Sequence, residues 1–264
     1  MPNRILTIAG SDTLSGGGLQ ADLVTFSEYG NVGFTAITSI VTVVQEEFFI
    51  HPIEQRLFKE QLKTIQSLPK MDGIKIGLLP NVAMIKEVGG FLQKNQEAFV
   101  VCDPVLVFKE TGTQVVENEA QAMIQHIFPF ADIVTPNKEE ARVLSEMCEI
   151  HTIDEMKAAA EKIHRLGAKS VVVKGGARLD GGLAVDVFYD GIDFLTLETK
   201  KLDTLNNNGA GCTFASAITS AKVNGMTVQE AIIDAKDFVY QGIQHGVVLT
   251  DTIGNVWQSA RRVK

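Results

Sequence analysis

Short apolar segments alternate with amphipathic segments along most of the chain. The apolar segments are rich in Ile, Val and Thr and end at Gly, Asp or Pro, which is typical of buried strands. The amphipathic segments carry apolar residues at helical spacing and predict helices. The predicted strands span residues 4–9, 33–44, 72–76, 99–103, 132–135, 170–174, 183–189 and 194–197. The predicted helices span residues 19–29, 53–68, 82–92, 115–128, 139–147, 153–166, 212–223 and 228–247.

This alternation predicts an α/β fold in three layers, with a mainly parallel central sheet and helices on both of its faces. Asp190-Gly191, between the last two predicted strands, is a hairpin signal and predicts antiparallel strands in the C-terminal part. No linker-like segment and no repeat of fixed period interrupts the pattern. We therefore expect one domain that spans residues 1–264.

Several predicted strands end in small or polar residues, as at positions 10–12, 103–104, 135–137 and 174–176. In open α/β sheets the carboxyl ends of the strands lie along one edge, and ligands bind beyond them. We expect these four segments to contribute to one ligand site.

Composition and charge narrow the classes of partner. The chain of 264 residues has a formal net charge of −8 and 45% hydrophobic residues, which is ordinary for a globular protein. It has no basic stretch of the kind that nucleic-acid binding requires, and no apolar stretch that reaches the length of a membrane span. Its three cysteines, Cys102, Cys148 and Cys212, match neither a zinc pattern nor a disulfide pattern. We expect a reduced cytoplasmic protein that binds neither nucleic acid nor membrane.

The segment Asn208-Gly209-Ala210-Gly211-Cys212-Thr213 carries the strongest local signal. Its glycines allow the backbone to approach a ligand closely, and the amides that begin the following apolar helix favour an anion. A transferring phosphoryl group requires such donors. A plain loop with an N-terminal helix cap is the alternative interpretation.

Cys212 lies in the first turn of that helix, where a helix N-terminus lowers the pKa of a thiol. This position favours a thiolate, which would act either as a general base on a substrate hydroxyl or as a nucleophile toward an aldehyde. The alternative role is that of a small buried hydrophobe, which Cys102 and Cys148 fit better.

Carboxylates lie near several of the predicted strand ends. Asp12 and Asp22 flank a glycine cluster and are candidates to accept hydrogen bonds from a substrate, with surface caps as the alternative. Asp103 and Glu140 follow predicted strands and are candidate Mg²⁺ ligands together with phosphate oxygens. Glu140 is also compatible with a simple helix-start charge. No Walker sequence is present, so an ATP site must be of another type.

Taken in order, these segments resemble the vitamin-kinase branch of the ribokinase-like superfamily, which holds hydroxymethylpyrimidine (phosphate) kinases and pyridoxal kinases. The resemblance covers nearly the whole chain. It rests on LTIAGSD at 6–12, Gln20-Ala21-Asp22, Lys75-Ile76-Gly77, Asp103-Pro104-Val105, Thr135-Pro136-Asn137 with Glu140-Ala141, Val173-Lys174-Gly175-Gly176, Tyr189-Asp190-Gly191 and GAGCT at 209–213. It implies a ribokinase-like fold, ATP as the phosphoryl donor, Mg²⁺ as cofactor and a homodimer.

The resemblance also implies a role for each matching position. A catalytic anion hole would be formed by Gly209, Ala210 and Gly211, next to Cys212, which stands where sugar kinases of the superfamily carry an aspartate base. The substrate pocket would include Gly10, Asp12, Gly17, Asp22, Val41, Val43, Leu78 and Val105. The nucleotide side would include Asn137, Lys174, Thr204, Gly209 and Gly211, and Mg²⁺ would be held by Asp103 and Glu140. Residues 105–113 would close over the site and exclude water.

The departures from the family pattern bear on the substrate. Val43 stands where pyrimidine kinases carry a Gln or Glu that can bind the amino group of the ring. An apolar side chain leaves that group without a partner, at a cost of about 1–3 kcal/mol, which favours a pyridoxal-type substrate. Phe108 stands where some pyridoxal kinases carry a second cysteine, which puts a two-cysteine mechanism in doubt. Leu14-Ser15 replaces the usual small pair before the glycine cluster.

The residues leave three functions open. The first is ATP-dependent phosphorylation of the 5′-hydroxymethyl group of pyridoxal, pyridoxine or pyridoxamine. The second is phosphorylation of hydroxymethylpyrimidine or its phosphate in thiamine synthesis. The third is a non-catalytic protein that binds a vitamer or a nucleotide, and the intact Asp103, Glu140 and Cys212 argue against it.

Overall fold

The computed structural model describes residues 1–45, 47–106 and 117–262. The strands are β1 (Arg4–Asp12), β2 (Val32–Val44), β3 (Glu47–Pro52), β4 (Gly73–Ile76), β5 (Phe99–Cys102), β6 (Ile133–Val134), β7 (Val171–Gly176), β8 (Leu183–Tyr189), β9 (Phe194–Lys200), β10 (Val247–Val248) and β11 (Gly254–Asn255). The α-helices are α1 (Gly18–Glu28), α2 (Gln55–Gln66), α3 (Val82–Leu92), α4 (Glu117–His126), α5 (Lys138–Leu144), α6 (Ile153–His164), α7 (Ala210–Val223) and α8 (Val228–Gln244). None of the helices in these ranges is long and apolar enough to cross a membrane.

One nine-stranded sheet has the order β3-β2-β1-β4-β5-β6-β7-β8-β9. Its middle strands, from β2 to β7 in this order, pair in parallel. The strands at its two ends, β3 on one side and β8 and β9 on the other, pair antiparallel to their neighbours. The prediction of a mainly parallel sheet with an antiparallel hairpin around Asp190-Gly191 is therefore confirmed, and Tyr189 pairs with Phe194 across that hairpin.

Helices cover the two faces of the sheet and complete the three layers. Helices α2 to α6 contribute to one apolar cluster, which includes Phe58, Met84 and Ile163. Helices α7 and α8 contribute to a second cluster, which includes Phe214 and Phe238, and α1 packs beside α7. Because the middle strands are buried on both faces, their sequences are continuously apolar rather than alternating.

Two parts of the fold were not predicted from the sequence. Strand β3 pairs antiparallel with the end of β2 and forms one edge of the sheet. Its sequence contains Glu47, His51 and Pro52. These residue types are tolerated in an edge strand, but in a sequence they are equally typical of a loop. The second is the small pair β10–β11, which follows α8. The expected closing segment at residues 105–113, including Phe108, falls outside the described residues except for positions 105 and 106.

A buried ion pair joins four elements at the centre of the molecule. Lys75 in β4 and Asp22 in α1 are both fully buried, with 2.9 Å between Lys75 Nζ and Asp22 Oδ1. Thr7 Oγ1 in β1 donates to Asp22 Oδ2 at 2.6 Å, and Ser216 Oγ in α7 donates to Asp22 Oδ1 at 2.7 Å. Burial opposes the charged form of Lys75, but Asp22 and other nearby acidic groups outweigh it and raise the pKa of Lys75. Lys75 therefore keeps its positive charge inside the protein.

We predict that Asp22→Asn lowers the free energy of unfolding by about 3–5 kcal/mol, because it leaves the Lys75 ammonium buried without its counter-charge. Urea unfolding followed by circular dichroism measures this change. The matched control is Glu97→Gln, which breaks the pair between Lys70 and Glu97, whose side chains are 71% and 74% exposed. We expect that control to change stability by less than about 1 kcal/mol. Equal stability of the Asp22→Asn protein and the wild type would contradict the central role of the pair.

Candidate active site

A cavity of about 440 Å³ lies at the carboxyl ends of the parallel strands. It is lined by residues from the turn after β1, the segment after β5, the start of α5, the end of β7 and the start of α7. The structure thus brings together the four strand-end segments that were predicted to form one ligand site. Because all of them come from strands running in the same direction, they reach the same edge of the sheet.

Helix α7 begins at the cavity with a backbone turn that only glycine accommodates. Gly209 is its N-cap residue and has φ of 85°, and a Cβ added to Gly209 would lie 1.6 Å from the carbonyl oxygen of Gly16. The Ala210 amide donates to the Asn207 carbonyl at 3.2 Å. The amides of Gly211 and Cys212 therefore remain as first-turn donors without an intrahelical acceptor. Such a helix start can bind an anion.

A mostly buried lysine and a buried carboxylate lie directly against this helix start. Lys174 Nζ donates to Asp103 Oδ1 at 2.5 Å, and Thr135 Oγ1 donates to the same oxygen at 3.1 Å. A Cβ added to Gly211 would lie 3.2 Å from Lys174 Nζ and 3.4 Å from Asp103 Oδ2. Burial opposes the charge on Lys174, but Asp103 and Glu140 outweigh it and raise the pKa of Lys174. An ammonium and a carboxylate are thus held next to the free amides of α7.

Glu140 adds a second carboxylate to this part of the cavity. It forms a capping box with Asn137: the Asn137 amide donates to Glu140 Oε2 at 2.8 Å, and the Glu140 amide donates to Asn137 Oδ1 at 3.0 Å. Burial and Asp103 together raise the pKa of Glu140 to about 8, against the opposing effect of Lys174. Glu140 is therefore mostly protonated at neutral pH, and a divalent cation bound between Glu140 and Asp103 would displace that proton.

These donors fit Mg²⁺, which takes one or two protein carboxylates and completes its shell with water and phosphate oxygens. Among residues 1–45, 47–106 and 117–262, no cluster of three or more His, Cys, Asp or Glu side chains forms a metal cage. A Mg²⁺ ion held by Asp103 and Glu140 would therefore depend on phosphate oxygens for its remaining ligands. This arrangement suits an ion that arrives with a nucleotide.

Cys212 lines the cavity at the same helix start. Burial raises the pKa of its thiol, while Lys75 and a hydrogen bond from the Gly18 amide lower it without outweighing burial. The expected thiolate is therefore wrong for this structure, because burial and the nearby Asp22 and Asp103 raise the pKa of Cys212 more than its neighbours lower it. Cys102 is fully buried and Cys148 is exposed, outside the lining of this cavity.

Asp12 shapes the glycine-rich turn after β1. Its Oδ1 accepts from the Leu14 amide at 2.9 Å, and its Oδ2 accepts from the Gly16 and Gly17 amides at 3.1 and 2.8 Å. Both oxygens are thus bonded to the backbone of the loop that Asp12 itself begins. Asp12 lines the cavity, as expected, but its first structural role is to fix this loop.

Most of the residues proposed from the sequence line the cavity. They are Gly10, Asp12, Gly17, Val41, Leu78, Asp103, Val105, Asn137, Glu140, Lys174, Thr204, Gly209, Ala210, Gly211 and Cys212. Asp22 does not, and its expected contact with a substrate is wrong in this structure because its carboxylate is sealed in the ion pair with Lys75. Val43 is also absent from the lining; it pairs with Phe48 of β3, which does line the cavity.

One end of the cavity was not predicted from the sequence. Val239, Tyr240 and Ile243 of α8 line it together with the turn after β7, which includes Arg178. Beside them, Lys236 Nζ forms an ion pair with Asp186 Oδ2 at 2.7 Å. The signal in the sequence is weak, because apolar residues spaced along one helix face are more often core than binding site.

The fold and the site together define a small-molecule kinase of the ribokinase-like type. A family model described as phosphomethylpyrimidine kinase matches residues 12–257, and the chain belongs to that family.

Pyridoxine kinases and hydroxymethylpyrimidine kinases are both among the relatives of the chain. The chain is 40% identical to the pyridoxine kinase of Bacillus subtilis (strain 168), over 99% of this chain and 97% of that protein. It is 34% identical to the hydroxymethylpyrimidine/phosphomethylpyrimidine kinase of Haemophilus influenzae, over 98% of each. The structure of the pyridoxal kinase from Staphylococcus aureus in complex with AMP-PCP and pyridoxal superposes with a TM-score of 0.93 at 38% identity, covering 100% of this chain and 96% of that one.

We predict a fixed order of reaction for the three cysteines with iodoacetamide at neutral pH. The exposed Cys148 reacts first, and Cys212 follows slowly because burial raises the pKa of its thiol. Cys102 reacts only after unfolding, because it is fully buried and its pKa is also raised. Peptide mass spectrometry over time gives the three rates, and a Cys148→Ser protein isolates the second. Labelling of Cys212 as fast as that of Cys148 would show a thiolate and contradict the raised pKa of Cys212.

Proposed function

We propose that this protein transfers the γ-phosphate of ATP to the 5′-hydroxymethyl group of pyridoxal, pyridoxine or pyridoxamine. The observation that carries the proposal is the likeness, over the whole chain, to a pyridoxine kinase at 40% identity, against 34% for a hydroxymethylpyrimidine kinase. The cavity supports phosphoryl transfer, because first-turn helix amides, a lysine and two carboxyl groups line it, and the lysine pairs with one of them. Positioning and electrostatic stabilisation are what this reaction requires.

The residues at the two ends of the cavity support a different ligand at each end. The end nearest β1, β2 and β3 carries Val41, Phe48 and Leu78, an apolar and aromatic surface suited to a flat pyridine ring. The end nearest β7, β8 and α8 carries Val239 and Tyr240 and is suited to a nucleotide base. The phosphates of ATP then extend toward Lys174 and the α7 amides, where both ligands meet.

Cys212 is proposed as the base that accepts the proton of the substrate hydroxyl. Its thiol must first release its proton to solvent, and the positive charge of Lys75 and the Gly18 amide favour the resulting thiolate. The thiolate then takes the hydroxyl proton while the hydroxyl oxygen bonds to the γ-phosphorus and the bond to ADP breaks. The Gly211 and Cys212 amides stabilise the charge that develops on the transferred phosphoryl group. Mg²⁺ held by Asp103 and Glu140 would supply charge neutralisation for the phosphates.

The decisive experiment measures ADP release by the purified protein with Mg²⁺-ATP and each of three acceptors. We expect turnover of pyridoxal and pyridoxine and little turnover of hydroxymethylpyrimidine, and we expect EDTA to abolish all of it. Preference for the pyrimidine would overturn the proposal and assign the chain to thiamine synthesis. Absence of turnover with every acceptor would favour a binding protein.

The Cys212→Ala protein separates the two roles of the thiol, and Cys148→Ala is its matched control. Loss of a general base lowers kcat by about 10²-fold or more, and Cys148→Ala should leave kcat unchanged. A general base is needed for transfer to pyridoxal and to pyridoxine alike. Aldehyde capture would affect pyridoxal alone, because pyridoxine has no aldehyde. A Cys212→Ala protein that loses activity only with pyridoxal would contradict the base assignment.

We also propose that the protein forms a homodimer through the ribbon of β2 and β3. Alternation along a strand places Ile40, Val44 and Phe49 on the face opposite Val41 and Phe48. Ile40, Val44 and Phe49 are 49%, 57% and 41% exposed, which is unusual for three large apolar residues on one small sheet edge. A second copy of the chain is a partner that would cover such a surface.

Sedimentation velocity tests the dimer. We expect the wild type to sediment at twice the chain mass of 28.7 kDa and Phe49→Asp to shift toward the monomer. Ile192→Asp is the control, because Ile192 is 85% exposed in the distant β8–β9 turn. A monomeric wild type, or a Phe49→Asp protein that remains dimeric, would count against this interface.

A further inference from the structure

The small β10–β11 pair contacts both glycine-rich loops of the active site. Asn255 in β11 is 7% exposed and lies outside the cavity lining. Its Nδ2 donates to the Leu14 carbonyl at 2.7 Å, and its Oδ1 accepts from Asn208 Nδ2 at 2.9 Å. Leu14 belongs to the loop after β1, and Asn208 belongs to the loop before α7. One side chain therefore bridges two loops that are far apart in sequence.

The backbone of β11 strengthens the same junction. The Asn208 amide donates to the Gly254 carbonyl at 3.0 Å, and the Val256 amide donates to the Asn208 carbonyl at 3.0 Å. Asn208 is therefore bonded through its amide, its carbonyl and its side chain to three consecutive residues of the C-terminal segment. This anchors the residue that immediately precedes Gly209 and the start of α7.

The two loops are in direct contact at this point. A Cβ added to Gly16 would lie 2.0 Å from Asn208 Nδ2 and 2.5 Å from Asn255 Oδ1. A Cβ added to Gly17 would lie 3.8 Å from Gly209 Cα and 3.9 Å from Cys212 Sγ. A small shift between the loops therefore changes the distance between the substrate side of the cavity and the thiol.

We propose that Asn255 is a positioning residue for phosphoryl transfer, which fixes the loop of Asp12 and Gly17 against the loop that carries the α7 amides and Cys212. This inference rests on the proposed function, because the first loop lines the acceptor end and the second lines the phosphoryl end. Binding of each ligand depends mainly on one loop, whereas the reaction requires the two loops to keep a fixed position relative to each other. Misplacement of reacting groups by about 1 Å can cost about 10²-fold in rate.

The test compares Asn255→Ala with Asn255→Asp. Asn255→Ala removes both side-chain hydrogen bonds. Asn255→Asp keeps the side-chain size and the oxygen that accepts from Asn208, but it loses the NH₂ group that donates to the Leu14 carbonyl. We expect kcat to fall by about tenfold or more in both, with KM for ATP and pyridoxal little changed. Thr250→Ala, in the turn of the same hairpin, is the control and should keep the wild-type kcat. Calorimetric titration with ADP gives the fraction of each preparation that is folded and able to bind. Each kcat is divided by that fraction, so that unfolded protein does not lower the apparent kcat.

A second measurement does not depend on catalysis. The Gly18 amide bonds to Cys212 Sγ across the two loops, so loosening them should increase the rate of iodoacetamide labelling of Cys212 by about tenfold in Asn255→Ala. Wild-type kcat in Asn255→Asp, or unchanged labelling of Cys212 in Asn255→Ala, would overturn the role of Asn255. A wild type that turns over none of the acceptors yet shows the labelling difference would overturn the proposed function alone.

Discussion

The ion pair between Asp22 and Lys75 is the constraint on which the rest of the structure depends. A charged pair with no exposure is costly unless each oxygen finds a donor, and here Thr7 and Ser216 supply the remaining donors. Strands β1 and β4 and helices α1 and α7 must therefore meet in one arrangement to satisfy it. Since Ser216 lies one turn after Cys212, the pair also sets where the start of α7 stands relative to the sheet.

The pair has a second effect, because it places a positive charge beneath the active site. Lys75 favours the thiolate of Cys212, and Cys212 and Asp103 favour the ammonium of Lys75. Burial still dominates the thiol, so its pKa is raised overall. The site thus holds Cys212 protonated near a charge that lowers the cost of proton loss. Only the minor thiolate form can accept the hydroxyl proton, and the raised pKa makes that thiolate a stronger base toward the substrate hydroxyl.

The sequence was sufficient to predict the layers of the fold and most of the cavity lining, because both depend on local patterns. Strand–helix alternation determines the parallel sheet, and parallel strands bring their polar ends to one edge. Asp22 could not be interpreted correctly, since its two partners in β4 and α7 are distant in sequence and nothing local reveals a buried carboxylate. Strand β3 was missed because edge strands carry charges and proline. The pKa of Cys212 was misjudged because helix position is visible in a sequence and burial is not.

Asn255 illustrates why residues that position an active site without lining it cannot be identified from sequence patterns. It lies in the second strand of a short hairpin, two residues before Trp257, with no glycine cluster, no paired acid and no helix start to draw attention. Its importance comes from contacts at both ends of its amide, to Leu14 and to Asn208. The two loops can approach closely because the glycines at their contact lack side chains. For the same reason, those glycines cannot hold the loops together through side-chain packing. A third segment has to supply that connection, and the bifunctional amide of Asn255 supplies a donor to one loop and an acceptor to the other.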